Sequence, residues 1–183
     1  MIPYCECGAA KVEGVLTGKT RNPLREHCQQ LLQEHRGIVL KVANLYGRGV
    51  EDRRDLAQEI CAQAWKAFAS WDAARPFPTW LYRVALNVAI SHARAGGVRT
   101  VVAFDELDVE PSTDGEAQRE NDDGVRRLYR CIERLGPLDR ALMLLYLDER
   151  SQREIAEVLG LSETNVATKI GRLKIRIRQQ FGA

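Results

Sequence analysis

Long helical periods dominate the chain. From Leu24 to Tyr46, the residues Cys28, Leu31, Leu32, His35, Ile38, Val39, Val42, Leu45 and Tyr46 share one face, which predicts a long amphipathic helix ended by Gly47 and Gly49. A second helix is predicted from about Glu51 to Ser70, burying Leu56, Ile60, Ala64, Trp65 and Phe68 and showing Asp55, Gln58, Glu59, Gln63 and Lys66 on its polar side. Prolines at 76 and 78 then separate it from a third stretch, Phe77 to Arg94. There Trp80, Leu81, Val84, Ala85 and Val88 form the apolar stripe, leaving Tyr82, Arg83, Asn87, Ser91 and Arg94 for other faces. Gly96 and Gly97 close it.

Beyond Val98 the period fades, apart from a short apolar patch at Val101 to Phe104. It returns with Val125, Leu128, Tyr129, Ile132 and Leu135, stopped by Gly136, and Pro137 opens a further helix through the apolar segment ending at Leu147. Ser151 and Glu154 then form an S-x-x-E capping box ahead of Ile155, Ala156 and Leu159. Gly160 and Leu161 make a tight turn, Ser162 caps the next helix, and Val166, Ile170, Leu173 and Ile177 follow at helical spacing. Helix, short glycine turn and helix is the helix-turn-helix unit, whose second helix enters the DNA major groove. Ser162, Thr164, Asn165, Thr168, Lys169, Arg172, Lys174 and Arg176 carry the hydroxyls, amides and bases that read base edges and grip phosphates.

Charge divides the chain more sharply than its total does. The formal net charge of 183 residues is only +2. Between Arg99 and Asp123 stand nine acids against two bases, whereas from Arg150 onward there are seven bases against three acids. The acidic stretch, with Pro111, Ser112 and Gly115, has linker composition and is extended by self-repulsion. Residues 1–22 show no sustained period and are expected to be a disordered leader. The fold class expected is therefore all-α: two small helical domains, 23–97 and 124–183, joined by an acidic flexible linker at 98–123.

Chemistry of its own is not expected of the chain. Gly14 to Thr20, GVLTGKT, is one residue short of a phosphate-binding loop and lacks a preceding strand. Cys5, Cys7, His27 and Cys28 have zinc-binding atoms, but Cys-x-Cys is not a usual zinc-knuckle spacing, so neither metal nor other cofactor is expected. No nucleophile, base and oxyanion set is visible, and the reading is of a non-enzyme. The longest near-continuous apolar run, Ala141 to Leu147, falls far short of the roughly 20 residues that span a bilayer, and there is no signal-peptide pattern. A cytoplasmic location without membrane insertion is expected.

The order DLAQEI (55–60), Ala64-Trp65, F-x-TWLYRVALN (77–87) and SQREIAEVLGLSETNVATKI (151–170) resembles the extracytoplasmic function (ECF) sigma factors of the sigma-70 family. The resemblance covers about residues 24–181 and implies an alternative sigma factor with core RNA polymerase and promoter DNA as partners. It implies that Asp55, Gln58 and Glu59 dock on the polymerase clamp. Arg83, Asn87 and Arg94 would meet the minus-10 element as single strand, Asn87 bordering a base pocket. Trp80 fits either base stacking there or the core, its helical position favouring the core. The linker would thread a cationic polymerase channel, and the last helix would read minus-35 duplex. Ala167 and Gly171 depart from the larger or basic residues many relatives carry there, which leaves the minus-35 sequence open. An anti-sigma factor is a further partner the family allows. The alternative is a free-standing helix-turn-helix regulator, against which the 55–87 motifs speak.

Overall fold

The computed structural model describes residues 23–95 and 116–181. The leader, Cys5, Cys7 and most of the acidic linker lie outside the described residues. Helix α1 is Pro23–Glu34, α2 is Arg36–Tyr46, and α3 is Val50–Ala67, finishing in a single 3-10 turn at Phe68–Ser70. Then follow α4 (Phe77–Ala95), α5 (Glu116–Glu133), α6 (Pro137–Leu147), α7 (Gln152–Leu159) and α8 (Glu163–Phe181). The fold is all-α, as expected, with two helical halves.

The helix expected over 24–46 is broken at His35. There the Ile38 N–H bonds to the His35 carbonyl in a tighter turn, the His35 ring rests 5.5 Å from Phe77, and the poor helix former Gly37 follows. The buried face of α4 is wider than its sequence stripe. Leu81, Tyr82, Ala85, Leu86 and Ala89 are buried, while Trp80, Val84 and Val88 are half-buried. The reason is that α4 is covered twice, by α2 and α3 on one side and by α6 and α7 on the other. Tyr82, expected outward, is thus 1% exposed. Trp65, expected inside, is 38% exposed and lies under the Arg25 guanidinium, because the α3 stripe of Leu56, Ile60, Ala64 and Phe68 leaves it on the flank.

In the second half, α5 starts at Glu116, inside the segment read as linker, and Val125 is exposed while Ile132 and Leu135 are buried. The Glu116 to Asp123 stretch combines good helix formers with acids near a helix N-terminus, which suits the dipole. The helix-turn-helix follows its sequence closely. Ser151 and Glu154 form the full capping box on α7, Gly160 takes the left-handed conformation (φ 66°, ψ 36°), and the Leu161 N–H bonds back to Ala156. The Ser162 hydroxyl accepts the Asn165 N–H at 3.3 Å, capping α8, and Val166, Ile170, Leu173 and Ile177 are buried. Buried side chains of both halves form one apolar cluster.

Candidate polymerase and nucleic-acid interface

Three exposed faces carry the candidate residues. On α3, Asp55, Gln58 and Glu59 are all exposed, on the side away from Leu56 and Ile60. The Glu59 carboxylate accepts from the Gln63 amide at 2.6 Å, one turn on, which fixes both side chains. This acidic and amide face sits on an 18-residue helix packed against α2 and α4, so it is a rigid platform.

On α4, Arg83, Asn87 and Arg94 are exposed along one stripe that also includes Ser91. Between α3 and α4 runs a groove of about 610 Å³ lined by Glu59 and Gln63 on one wall and Asn87 and Ser91 on the other, over Leu56, Val84 and Val88. Glu59 and Asn87, assigned to different partners by motif, therefore face one groove. At its end His92 Nε2 lies 2.9 Å from Asp52 Oδ1. Trp80 packs 5.3 Å from Phe77 and 6.2 Å from Phe68, within an aromatic group that also takes in Trp71. It is a packing residue with one side at the surface. The loop before α4 is held by the Trp71 indole N–H donating to the Arg75 carbonyl at 3.2 Å and by Asp72 accepting the Ala74 N–H at 3.0 Å.

On α8, Thr164, Asn165, Thr168, Arg172 and Arg176 are exposed, and Ser162 stands exposed at its cap. Lys169 and Lys174 are set on the flanks. Lys169 Nζ lies 3.7 Å from Asp139, and Lys174 Nζ donates to the Tyr146 hydroxyl at 3.2 Å over the same ring. Thr168 turns its hydroxyl back to the Thr164 carbonyl at 2.9 Å. Gly171 and Ile175 lie on the outward face, Ile175 57% exposed.

Sequence reading missed the residues that join the halves: Lys41, Arg75, Tyr82, Arg140, Asp148 and Glu157. Nothing in local periodicity marks them, since each partner lies in the other half. Cys28 is buried, and burial pushes its thiol up; His27 packs on Phe68 and Trp71. Among the described residues no group of three His, Cys, Asp or Glu could hold a metal, and no helix is long and apolar enough to cross a membrane.

A helix-turn-helix with a basic, amide-bearing second helix, set beside a second helical half with an acidic platform, defines a DNA-binding transcription protein. Comparison with known proteins narrows the class. Residues 31–98 match the model of sigma-70 region 2, and residues 125–177 match sigma-70 region 4. The chain is 31% identical to the RNA polymerase sigma factor CnrH of Cupriavidus metallidurans, over 81% of this chain and 83% of that protein. It is 31% identical to the ECF RNA polymerase sigma-E factor of Escherichia coli K12, over 73% and 77%. Among solved structures, CnrH in complex with the cytosolic domain of CnrY is similar with a TM-score of 0.61 at 25% identity, covering 86% of this chain and 88% of that one. The sigma factor RpoE in complex with the anti-sigma factor NepR from Bartonella quintana shares the fold, with a TM-score of 0.65 at 16% identity over 87% and 98%. The chain belongs to the sigma-70 family, in its ECF group, and is an alternative sigma factor that directs transcription initiation. The region 2 match leaves no room for a free-standing helix-turn-helix regulator.

Proposed function

We propose that the three faces divide the work of initiation. Asp55, Gln58 and Glu59 on α3 dock on core RNA polymerase, where an acidic and amide platform complements a basic partner. Arg83, Asn87 and Arg94 on α4 take the minus-10 element as single strand, Asn87 contacting an unstacked base and the arginines the backbone. Trp80 serves them mainly by packing the start of α4. On α8, Thr164, Asn165, Thr168 and Arg172 read minus-35 base edges, Ser162 caps the helix, and Lys169, Lys174 and Arg176 reach backbone phosphates. The acidic connector occupies a cationic polymerase channel. The protein works in the cytoplasm, makes and breaks no covalent bonds itself, and is open to control by an anti-sigma factor, as CnrH and RpoE are found bound to CnrY and NepR.

The observation that carries this reading is the α3–α4 groove with Glu59 on one wall and Asn87 on the other, so that polymerase docking and strand capture adjoin. Charge reversal at Asp55 and Glu59 tests it. The double variant Asp55→Lys, Glu59→Lys is expected to bind core polymerase about tenfold or more weakly, a loss of about 1.4 kcal/mol, with an unchanged thermal melt. Equal affinity would contradict the docking assignment.

A further inference from the structure

The α3 face assigned to polymerase runs further than its acids. Glu51, Asp55, Gln58, Glu59, Ala62 and Trp65 are all exposed and fall on one stripe of the helix, with Val50 at its head. Val50 is 59% exposed and Trp65 38%, so an exposed apolar side chain stands at each end. An exposed tryptophan beside polar neighbours is the kind of side chain that anchors an interface. Between the two ends, Glu51 is paired with Arg54 at 3.1 Å, and Lys66 is the one further base, which leaves the middle acidic through Asp55 and Glu59.

Helix α1 begins beside Trp65. The Arg25 guanidinium, two residues into α1, lies 6.0 Å from the centre of the Trp65 ring, so the chain preceding Pro23 joins the fold at that end of the stripe. Gly14 to Asn22, which contains the segment that fails as a phosphate loop, has the composition to follow the stripe. Val15 and Leu16 are apolar, Lys19 and Arg21 are basic, and no acid is present. The lengths match as well. From Trp65 back to Val50 is fifteen residues of helix, about 22 Å at about 1.5 Å per residue. From Pro23 back to Leu16 is seven residues, about 23 Å of extended chain at about 3.3 Å each. Laid along α3 in the same direction, the segment sets Arg21 against Glu59, Lys19 against Asp55, and Val15 and Leu16 against Val50.

We propose that residues 15–22 lie along the exposed stripe of α3 in the free chain and compete with core polymerase for it. The competition rests on the docking assignment of Asp55, Gln58 and Glu59 above. A segment with no helical period of its own orders on a surface that matches it, and a basic, apolar strand matches this one as a basic partner does. Occupancy lowers the apparent core affinity by the fraction of chains whose stripe is open. Weakening the contact therefore tightens core binding.

The test uses the full chain, as wild type and as two double variants, Lys19→Glu with Arg21→Glu and the charge-neutral Val15→Ser with Leu16→Ser. The neutral pair separates contact from plain charge. Heteronuclear NMR of the free proteins reads the backbone amides of Asp55 to Trp65 and the Trp65 indole N–H, and titration of core polymerase reads competition. Docking predicts that both variants move these resonances, leave those of Asn165 to Arg172 on α8 in place, and raise core affinity about three- to tenfold. Identical α3 resonances in all three proteins overturn the contact. Wild-type resonances that move on dilution assign it to a second copy and overturn it as an internal one. Moved resonances with no gain in core affinity overturn the competition. If Asp55→Lys with Glu59→Lys binds core as tightly as wild type, the docking assignment fails instead, and the α3 resonances alone still decide the contact.

Discussion

The Arg140 guanidinium, on α6, donates to the Leu45 carbonyl at 3.0 Å and so closes the C-terminal end of α2 from the other half of the chain. Its second terminal nitrogen donates to the Glu133 carbonyl and, at 3.4 Å, to that of Leu135, so the last turn of α5 is held as well. Burial pulls its pKa below the ordinary arginine value, partly offset by Tyr46 and Glu133, and the guanidinium lies 5.1 Å over the Tyr46 ring. Arg140→Met keeps the stem but strands these carbonyls, and should cost about 2–4 kcal/mol in denaturant unfolding. Arg140→Lys should recover only part, because one ammonium cannot fork to separate carbonyls. A loss within about 0.5 kcal/mol for the Met variant would show the contact to be incidental.

At the start of α7, the Ser151 N–H donates to Glu154 at 2.9 Å, and the Ser151 hydroxyl accepts the Glu154 N–H at 3.2 Å. The backbone bond first, then the hydroxyl, holds the Glu154 carboxyl below its ordinary 4.5. A depressed carboxyl stabilises fully above about pH 4.5 and loses that contribution as pH falls through its folded value. Ser151→Ala should cost about 1 kcal/mol at neutral pH, and the gap to wild type should narrow below pH 4.5. Glu133 works oppositely. Burial raises its carboxyl, so stability lost on ionisation returns as pH falls through the raised value. Melts of both proteins across acid pH would show a constant gap if the capping box were not responsible.

How far the chain could be read depended on where each residue's partner lies. The capping box, the Gly160 turn and the stripe Val166, Ile170, Leu173, Ile177 are written within a few residues, and each is found in place. Asp55, Gln58, Glu59, Arg83, Asn87 and Arg94 were legible as polar positions opposite an apolar stripe, and all are exposed. Tyr82 and Trp65 exchanged expected places because helical spacing cannot say that α4 has a second cover in α6 and α7. Lys169 and Lys174 looked equivalent to Arg172 in sequence, yet Asp139 and Tyr146, about 30 residues earlier, draw them aside.

On α8, Gly171 is exposed, and a Cβ built there meets nothing within 4 Å. Gly171→Ala should raise the unfolding free energy by about 0.5–1 kcal/mol through helix propensity alone. Gly171→Arg, placing a long base on the outward face, should change which minus-35 base pairs are preferred. Unchanged stability in the first variant would contradict the propensity gain, and unchanged preference in the second would place this face away from the duplex.

Asn87 and Arg172 separate the two DNA tasks. Asn87→Ala should slow promoter opening, read by permanganate reactivity of unpaired thymines, more than it weakens duplex binding. Arg172→Ala should flatten the response to minus-35 base changes by about 1–3 kcal/mol of discrimination while leaving opening of a pre-melted template intact. Equal losses of opening and duplex binding in Asn87→Ala would count against a single-strand role.

This chain gives core RNA polymerase its choice of promoter. Run-off transcription with purified core polymerase on a genomic promoter library measures that directly. Discrete transcripts are expected only when the chain is added, from start sites sharing one minus-35 and one minus-10 pattern. Duplex binding by the chain without any polymerase-dependent transcript would contradict it.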